Sequence, residues 1–228
     1  MPITTCVFDA YGTLFDVAAA ARQAAAEPDF VQIRDDWPVL AEHWRQKQLQ
    51  YTWLRAVADA HEDFWNVTQQ GLDWALEKTG HAGDAPLRER LLALYWELQC
   101  YPEVPHVLTA LKAAGMNTAI LSNGSPDMLA GAVTSTGIGD VLDDTLSVES
   151  VGVFKPDAKV YDLVGARFGC AKSEVLFVSS NGWDAGCATG YGFTTAWVNR
   201  AGDPLDRLPW QPAHVLDDLS GIPDLAGA

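Results

Sequence analysis

A chain of 228 residues, 48% of them hydrophobic, is long enough to bury one large domain, or a core carrying a smaller lobe. A net charge of −15 with only 15 Lys and Arg argues against a nucleic-acid or anionic-membrane partner, because both need basic patches. No apolar run approaches the roughly 20 residues that span a bilayer, no basic-then-apolar leader is visible, and Cys6, Cys100, Cys170 and Cys187 show no C-x-x-C spacing; a soluble, reducing, cytoplasmic setting is expected, without a disulfide framework or zinc site.

Residues 5–8 read as a buried strand that ends in a carboxylate, Asp9, and a Gly turn. From Phe15 to about Pro102 there is no convincing strand. Three stripes recur there at helical spacing: Leu40, Trp44, Tyr51, Leu54 and Ala58; then Leu72, Ala75, Leu76 and Thr79, closed by Gly80; then Leu87, Leu91, Leu94, Tyr95 and Leu98. So much helix exceeds what a connection between strands requires and reads as a lobe inserted above the strand ends. Further on, residues 118–121, 145–148, 175–179, 194–198 and 214–216 read as strands. Between them, Ser125 and Pro126 can open a helix running to about Thr136. Asp157 can open another, with Val160, Tyr161, Val164 and Phe168 on one face and Gly169 as terminator. Strands alternating with helices predict an α/β fold with a doubly wound, mostly parallel sheet. The core is expected over residues 1–14 and 103–228, and a helical cap over 15–102.

Ligand sites in such sheets lie beyond the carboxyl ends of the strands, and four polar clusters fall there. They are Cys6-Val7-Phe8-Asp9-Ala10-Tyr11-Gly12-Thr13-Leu14, Leu121-Ser122-Asn123-Gly124-Ser125-Pro126, Phe154-Lys155-Pro156-Asp157 and Val178-Ser179-Ser180-Asn181-Gly182-Trp183-Asp184. Each alone is ordinary: a strand-end Asp also serves as a turn residue or helix cap, and Ser-Asn-Gly is a common loop. In this order they resemble the haloacid dehalogenase superfamily, whose motifs are a strand-end Asp followed by Gly-Thr, a strand-end Ser or Thr, a Lys, and an acidic loop. Most members carry a second Asp two residues after the nucleophile and use magnesium in phosphoryl transfer. Here that position is Tyr11, whose phenol ionises near pH 10 and cannot act as a general-acid carboxylate. The loop from Asn181 to Asp184 offers one carboxylate where magnesium, a demanding oxygen-ligand ion, usually finds two. The helical stretch Trp44-Arg45-Gln46-Lys47-Gln48-Leu49-Gln50-Tyr51-Thr52-Trp53-Leu54-Arg55 is similar to the cap helix of the L-2-haloacid dehalogenase branch.

That resemblance implies a cofactor-independent, metal-free hydrolase that displaces halide from short 2-haloacids and forms a homodimer. It makes Asp9 the nucleophile. Lys155 would hold it ionised, since unit charges about 4 Å apart interact by roughly 4 kcal/mol at an effective dielectric of 20. The backbone around Tyr11 and the Ser122 hydroxyl would bind the substrate carboxylate. Thr13, Ser179 and Asn181 would orient Asp9 and the hydrolytic water, and Asp184 would hold Lys155 or accept a proton. Arg45, Asn123 and Trp183 would cradle the halide, with Tyr161 as a further member, while Leu49 and Phe64 would add apolar cover. On residues alone Arg45 is equally a surface cation whose stem covers apolar area, and Tyr161 equally a core aromatic. A magnesium-dependent phosphohydrolase and a non-catalytic binding protein of the same fold stay open as alternatives.

Overall fold

Six parallel strands form a single sheet in the computed structural model, which describes residues 2–228. They are β1 (Thr5–Phe8), β2 (Asn117–Ser122), β3 (Asp144–Ser147), β4 (Val175–Ser179), β5 (Thr194–Val198) and β6 (His214–Leu216), in the order β3-β2-β1-β4-β5-β6. Every residue of β1 is fully buried, which is why it reads as a continuous apolar run and not as an alternating one. β1 pairs with β2 on one side and β4 on the other. The chain therefore reverses its winding direction at β1, where a crevice opens beyond the carboxyl ends. The Asp9 N–H donates to the Val178 carbonyl at 2.8 Å, so the ladder's last bond belongs to the residue that carries the carboxylate.

Between β1 and β2 the chain forms α1 (Ala19–Ala26), α2 (Trp37–Val57), α3 (Phe64–Lys78) and α4 (Ala85–Tyr95). The remaining helices are α5 (Val104–Ala113), α6 (Pro126–Thr136), α7 (Ala158–Phe168), α8 (Gly182–Tyr191) and α9 (Ile222–Ala226). No described helix is long and apolar enough to cross a membrane.

Local chemistry explains most boundaries. Asp157 caps α7 by accepting the Lys159 N–H at 2.9 Å, and Gly169 ends that helix in the left-handed conformation, as expected. Ser125 stands at the start of α6 but makes no side-chain capping bond. β3 stops one residue earlier than expected: Val148 opens a short 3-10 turn because the Ser147 hydroxyl accepts the Glu149 N–H. Leu98 is buried but lies beyond the end of α4.

The largest departure is the inward face of α2. Leu40, Trp44, Gln48 and Thr52 are buried, whereas Leu54 is 58% exposed and Ala58 lies past the helix end in solvent. Two polar residues can occupy this face because the interior satisfies them. Gln48 donates to the Thr68 hydroxyl at 2.6 Å and exchanges hydrogen bonds with the Tyr95 hydroxyl, while Thr52 bonds back to the Leu49 carbonyl.

Candidate active site

Asp9 is 7% exposed and both carboxylate oxygens are engaged. Oδ1 accepts from Lys155 Nζ at 3.1 Å; Oδ2 accepts from Thr13 Oγ1 at 3.0 Å and from Asn181 Nδ2 at 3.2 Å. Thr13 Oγ1 also accepts the Ser180 N–H at 2.8 Å. A hydroxyl has a single proton, so this backbone donor leaves the threonine free to aim its own at Asp9. The three donors come from the turn after β1, the segment before α7 and the start of α8. Parallel strands bring those segments together at one edge.

Lys155 is the centre of the charge balance. Its ammonium is 1% exposed and lies 3.1 Å from Asp9 and 2.9 Å from Asp184, which is fully buried. Burial alone would push the lysine down, but the charges of Asp184 and Asp9 outweigh it and hold the group above its ordinary value. Burial raises Asp184, and the Asp9 charge adds to this, although Lys155 opposes both. The other Asp184 oxygen accepts from the Tyr161 hydroxyl at 2.8 Å. Tyr161 is thus more than a core aromatic. Burial and the Asp184 charge push its phenol well above the ordinary range, so it stays a donor.

Arg45 reaches down from α2 and donates to Asn181 Oδ1 at 2.7 Å, which ties the inserted helices to the residue that holds Asp9. Its guanidinium lies 2.9 Å from where a Cβ on Gly12 would stand, at a backbone φ of +88°. Glycine at this turn therefore serves both the left-handed conformation and the approach of the cation. Leu49, Arg45, Asn181 and Trp183 line a cleft of about 510 Å³ open to solvent. Trp183 Nε1 is buried without a hydrogen-bond partner. On the other side, Tyr11 stacks on Tyr95 at 5.5 Å and packs against Phe64 at 6.1 Å. The Tyr11 hydroxyl is also buried and unpartnered, and burial keeps the phenol far from ionising.

Three expected residues make no hydrogen bond to Asp9, and two of them, Asn123 and Ser179, bond to residues that do. Ser122 Oγ accepts the Gly124 N–H at 3.0 Å, Asn123 Oδ1 accepts the Lys155 N–H at 3.0 Å, and Ser179 Oγ accepts the Asn181 N–H at 3.2 Å. Asn123 and Ser179 fix the loops on which Lys155 and Asn181 stand, and Ser122 fixes the turn after β2.

The donors do not suit magnesium. The two nearby carboxylates, Asp9 and Asp184, share one ammonium, and the third position is a neutral phenol. Among the described residues no group of three or more His, Cys, Asp or Glu is placed to hold a metal ion.

A family model described as haloacid dehalogenase-like hydrolase matches residues 3–190. (S)-2-haloacid dehalogenase 1 of Pseudomonas sp. (strain CBS-3) is 43% identical over 98% of this chain and 96% of its own length. For (S)-2-haloacid dehalogenase 4A of Burkholderia cepacia the identity is 41%, over 96% and 93%. The chain belongs to the haloacid dehalogenase-like hydrolases, in their (S)-2-haloacid dehalogenase group. A solved L-2-haloacid dehalogenase from Xanthobacter autotrophicus with chloropropionic acid covalently bound superposes with a TM-score of 0.89 at 35% identity, covering 99% of each chain.

Within this haloacid dehalogenase frame the structure adds residues that sequence reasoning misses. Ser180 belongs to one of the strand-end clusters, but only the fold brings its N–H to Thr13. Arg200 gives no signal in the sequence at all. It donates to the Thr13 carbonyl at 3.3 Å, pairs with Glu103 at 2.6 Å and lies 3.8 Å over the Tyr101 ring, so it braces the turn that carries Thr13. Gln48, which bonds the hydroxyl of the Tyr95 that stacks on Tyr11, is hidden because a polar residue at 48 looks like a surface position.

Proposed function

We propose that this chain hydrolyses short L-2-haloalkanoic acids to D-2-hydroxy acids through an ester on Asp9, with inversion. The observation that carries the reading is the Asp9 carboxylate buried against Lys155, with Tyr11 at the position where metal-dependent relatives place a second carboxylate. In the first step Asp9 Oδ1 attacks C2 from behind the carbon–halogen bond. Oδ1 carries one donor against two on Oδ2, and so keeps the freer lone pair. The halogen leaves with the bonding pair toward Arg45, Asn123 and Trp183, while Ser122 and the backbone around Tyr11 hold the substrate carboxylate. Lys155 offsets the repulsion between two anions. In the second step water attacks the Asp9 carbonyl carbon, the ester C–O bond of that carbonyl breaks, and one water proton passes to the product hydroxyl. The other proton leaves to solvent. Thr13, Ser179 and Asn181 orient the group, and Asp184 with Tyr161 holds Lys155. Leu49 and Phe64 exclude water from the displacement.

In this reading residues 1–14 and 103–228 act as the core and 15–102 as a cap that supplies Arg45. The enzyme works without metal or organic cofactor, as a homodimer in the cytoplasm, with the exposed apolar Leu54 and Val57 of α2 supporting an interface.

A single turnover in heavy-oxygen water, with enzyme in excess, tests the covalent step. Label should enter Asp9 and spare the product hydroxyl, and halide release should be indifferent to EDTA. Label in the product and none in the Asp9 peptide would make Asp9 a general base. Dependence on magnesium would return the chain to the phosphohydrolases.

A further inference from the structure

Arg45, Leu49 and Trp53 stand four residues apart on α2, so each lies about 6 Å further along the axis and about 40° further round than the last. All three line the same cleft of about 510 Å³. The ladder runs from a cation bonded to Asn181, beside Asp9, through a branched aliphatic to an indole at the rim. Trp53 is 36% exposed, and its ring stands edge-on to that of Trp183, with centroids 5.3 Å apart and an interplanar angle of 86°. Trp183 is adjacent in sequence to Asp184 in the first turn of α8, whereas Trp53 comes from α2, between β1 and β2. The edge-to-face pair therefore joins the two parts of the molecule across the cleft.

This arrangement sorts a 2-haloacid by polarity. The carboxylate and the departing halide need donors and cations, which the cleft offers where Arg45 meets Asn181, the residue whose amide reaches Asp9. The substituent on C2 needs apolar walls, and Leu49, Trp183 and Trp53 supply them. We propose that Trp53 is a specificity-determining residue that limits the length of the C2 substituent by closing the apolar end of the cleft. The inference rests on the haloacid reading above. Each methylene gained or lost in an apolar pocket is worth roughly 10- to 200-fold in relative kcat/KM, so the effect is large enough to read.

The experiment compares kcat/KM for (S)-2-bromohexanoate with that for (S)-2-bromopropionate in the parent enzyme, Trp53→Ala and Trp53→Phe. Because a ratio is compared, any general loss of activity cancels. The hexanoate-to-propionate ratio should rise about tenfold or more in Trp53→Ala and by a smaller factor in Trp53→Phe. Trp53→Phe keeps an aromatic in contact with Trp183, so it decides the matter if the alanine variant fails to fold. A ratio within twofold of the parent in the folded variants overturns the assignment while leaving the dehalogenase reading intact. If the parent releases no bromide from 2-bromopropionate, the function itself is wrong and this assignment falls with it.

Discussion

At the scale of single residues, Lys155 carries a consequence for pH. Held above its ordinary value of 10.5, it contributes stability that is fully present below that value and is lost as pH rises through the higher folded one. Asp184 acts with the same sign at lower pH: raised from 3.8, it also loses stability as pH climbs from there through its folded value. Lys155→Met removes the ammonium and leaves the Asp9 and Asp184 carboxylates facing each other in the interior. Near neutrality this should cost roughly 3–5 kcal/mol, the scale of breaking a buried pair by deleting one partner. The deficit should shrink in acid, where protonating Asp184 removes part of the uncompensated charge. Thermal melts at about pH 5 and about pH 8 check this; an equal deficit at both would mean that Lys155 contributes packing and not charge. The chemistry of this cluster was legible in the sequence because its polar clusters each follow a strand or precede a helix, in an order that resembles a known family. The hydrogen-bond pairing was not, since the partners after β1, before α7 and on α8 are far apart in the chain. Tyr161 shows the limit: its spacing on α7 fits a core position equally well, and only the 2.8 Å bond to Asp184 decides.

At the scale of elements, α2 presents two arginines to different environments. Arg45 bonds to Asn181 in the site, whereas Arg55 bonds at the surface to Gln70 and Glu62. Arg45→Ala should lower kcat by on the order of a hundredfold, comparable with removing one preorganised donor. Arg55→Ala should stay within about twofold, because a surface ion pair is worth only about 0–1 kcal/mol. Steady-state kinetics on both variants would separate them, and similar small losses would demote Arg45 to a surface cation. The same helix shows why the helices between β1 and β2 were harder to read than the sheet. Its inward face mixes Leu40 and Trp44 with Gln48 and Thr52, and the partners that make Gln48 tolerable inside belong to α3 and α4. Periodicity alone therefore favoured Leu54, which points outward. Gln48→Ala should cost about 1–3 kcal/mol by stranding the Tyr95 hydroxyl, measurable by denaturant unfolding; a negligible change would mean that water replaces the amide.

For the whole molecule the governing property is the charge of −15, which opposes the approach of an anionic substrate. Raising a non-halide salt from about 10 mM to about 150 mM shortens the Debye length from about 30 Å to about 8 Å. The value of kcat/KM for a 2-haloacid should therefore increase, by about two- to threefold. A decrease would mean that the cations lining the cleft, Arg45 and Arg200, govern capture instead. The parallel, doubly wound sheet followed from the alternation of strands and helices, because right-handed crossovers leave few ways to wind such a sheet, but its strand order did not. The cleft did not, since its walls come from α2, the start of α8 and the segment after β5.

The central position of β1 also governs how the protein is made. Its Thr5 is paired with Asn117, 112 residues downstream, and with Val175 beyond that. At about 5–20 residues per second, a ribosome needs roughly 5–20 s to deliver the first of these neighbours and longer for the second. Throughout that interval a strand destined for the middle of the sheet has no ladder partner, while the helices from α1 to α4 can form from local contacts as they emerge. The nascent chain thus forms its first helices before its sheet, and Asp9 is positioned only after translation has passed β4. A chain stalled before that point would carry Asp9 without the Asn181 and Asp184 surroundings that position it and its lysine. It would be inert, and its unpaired Thr5–Phe8 segment would be a natural target for chaperones.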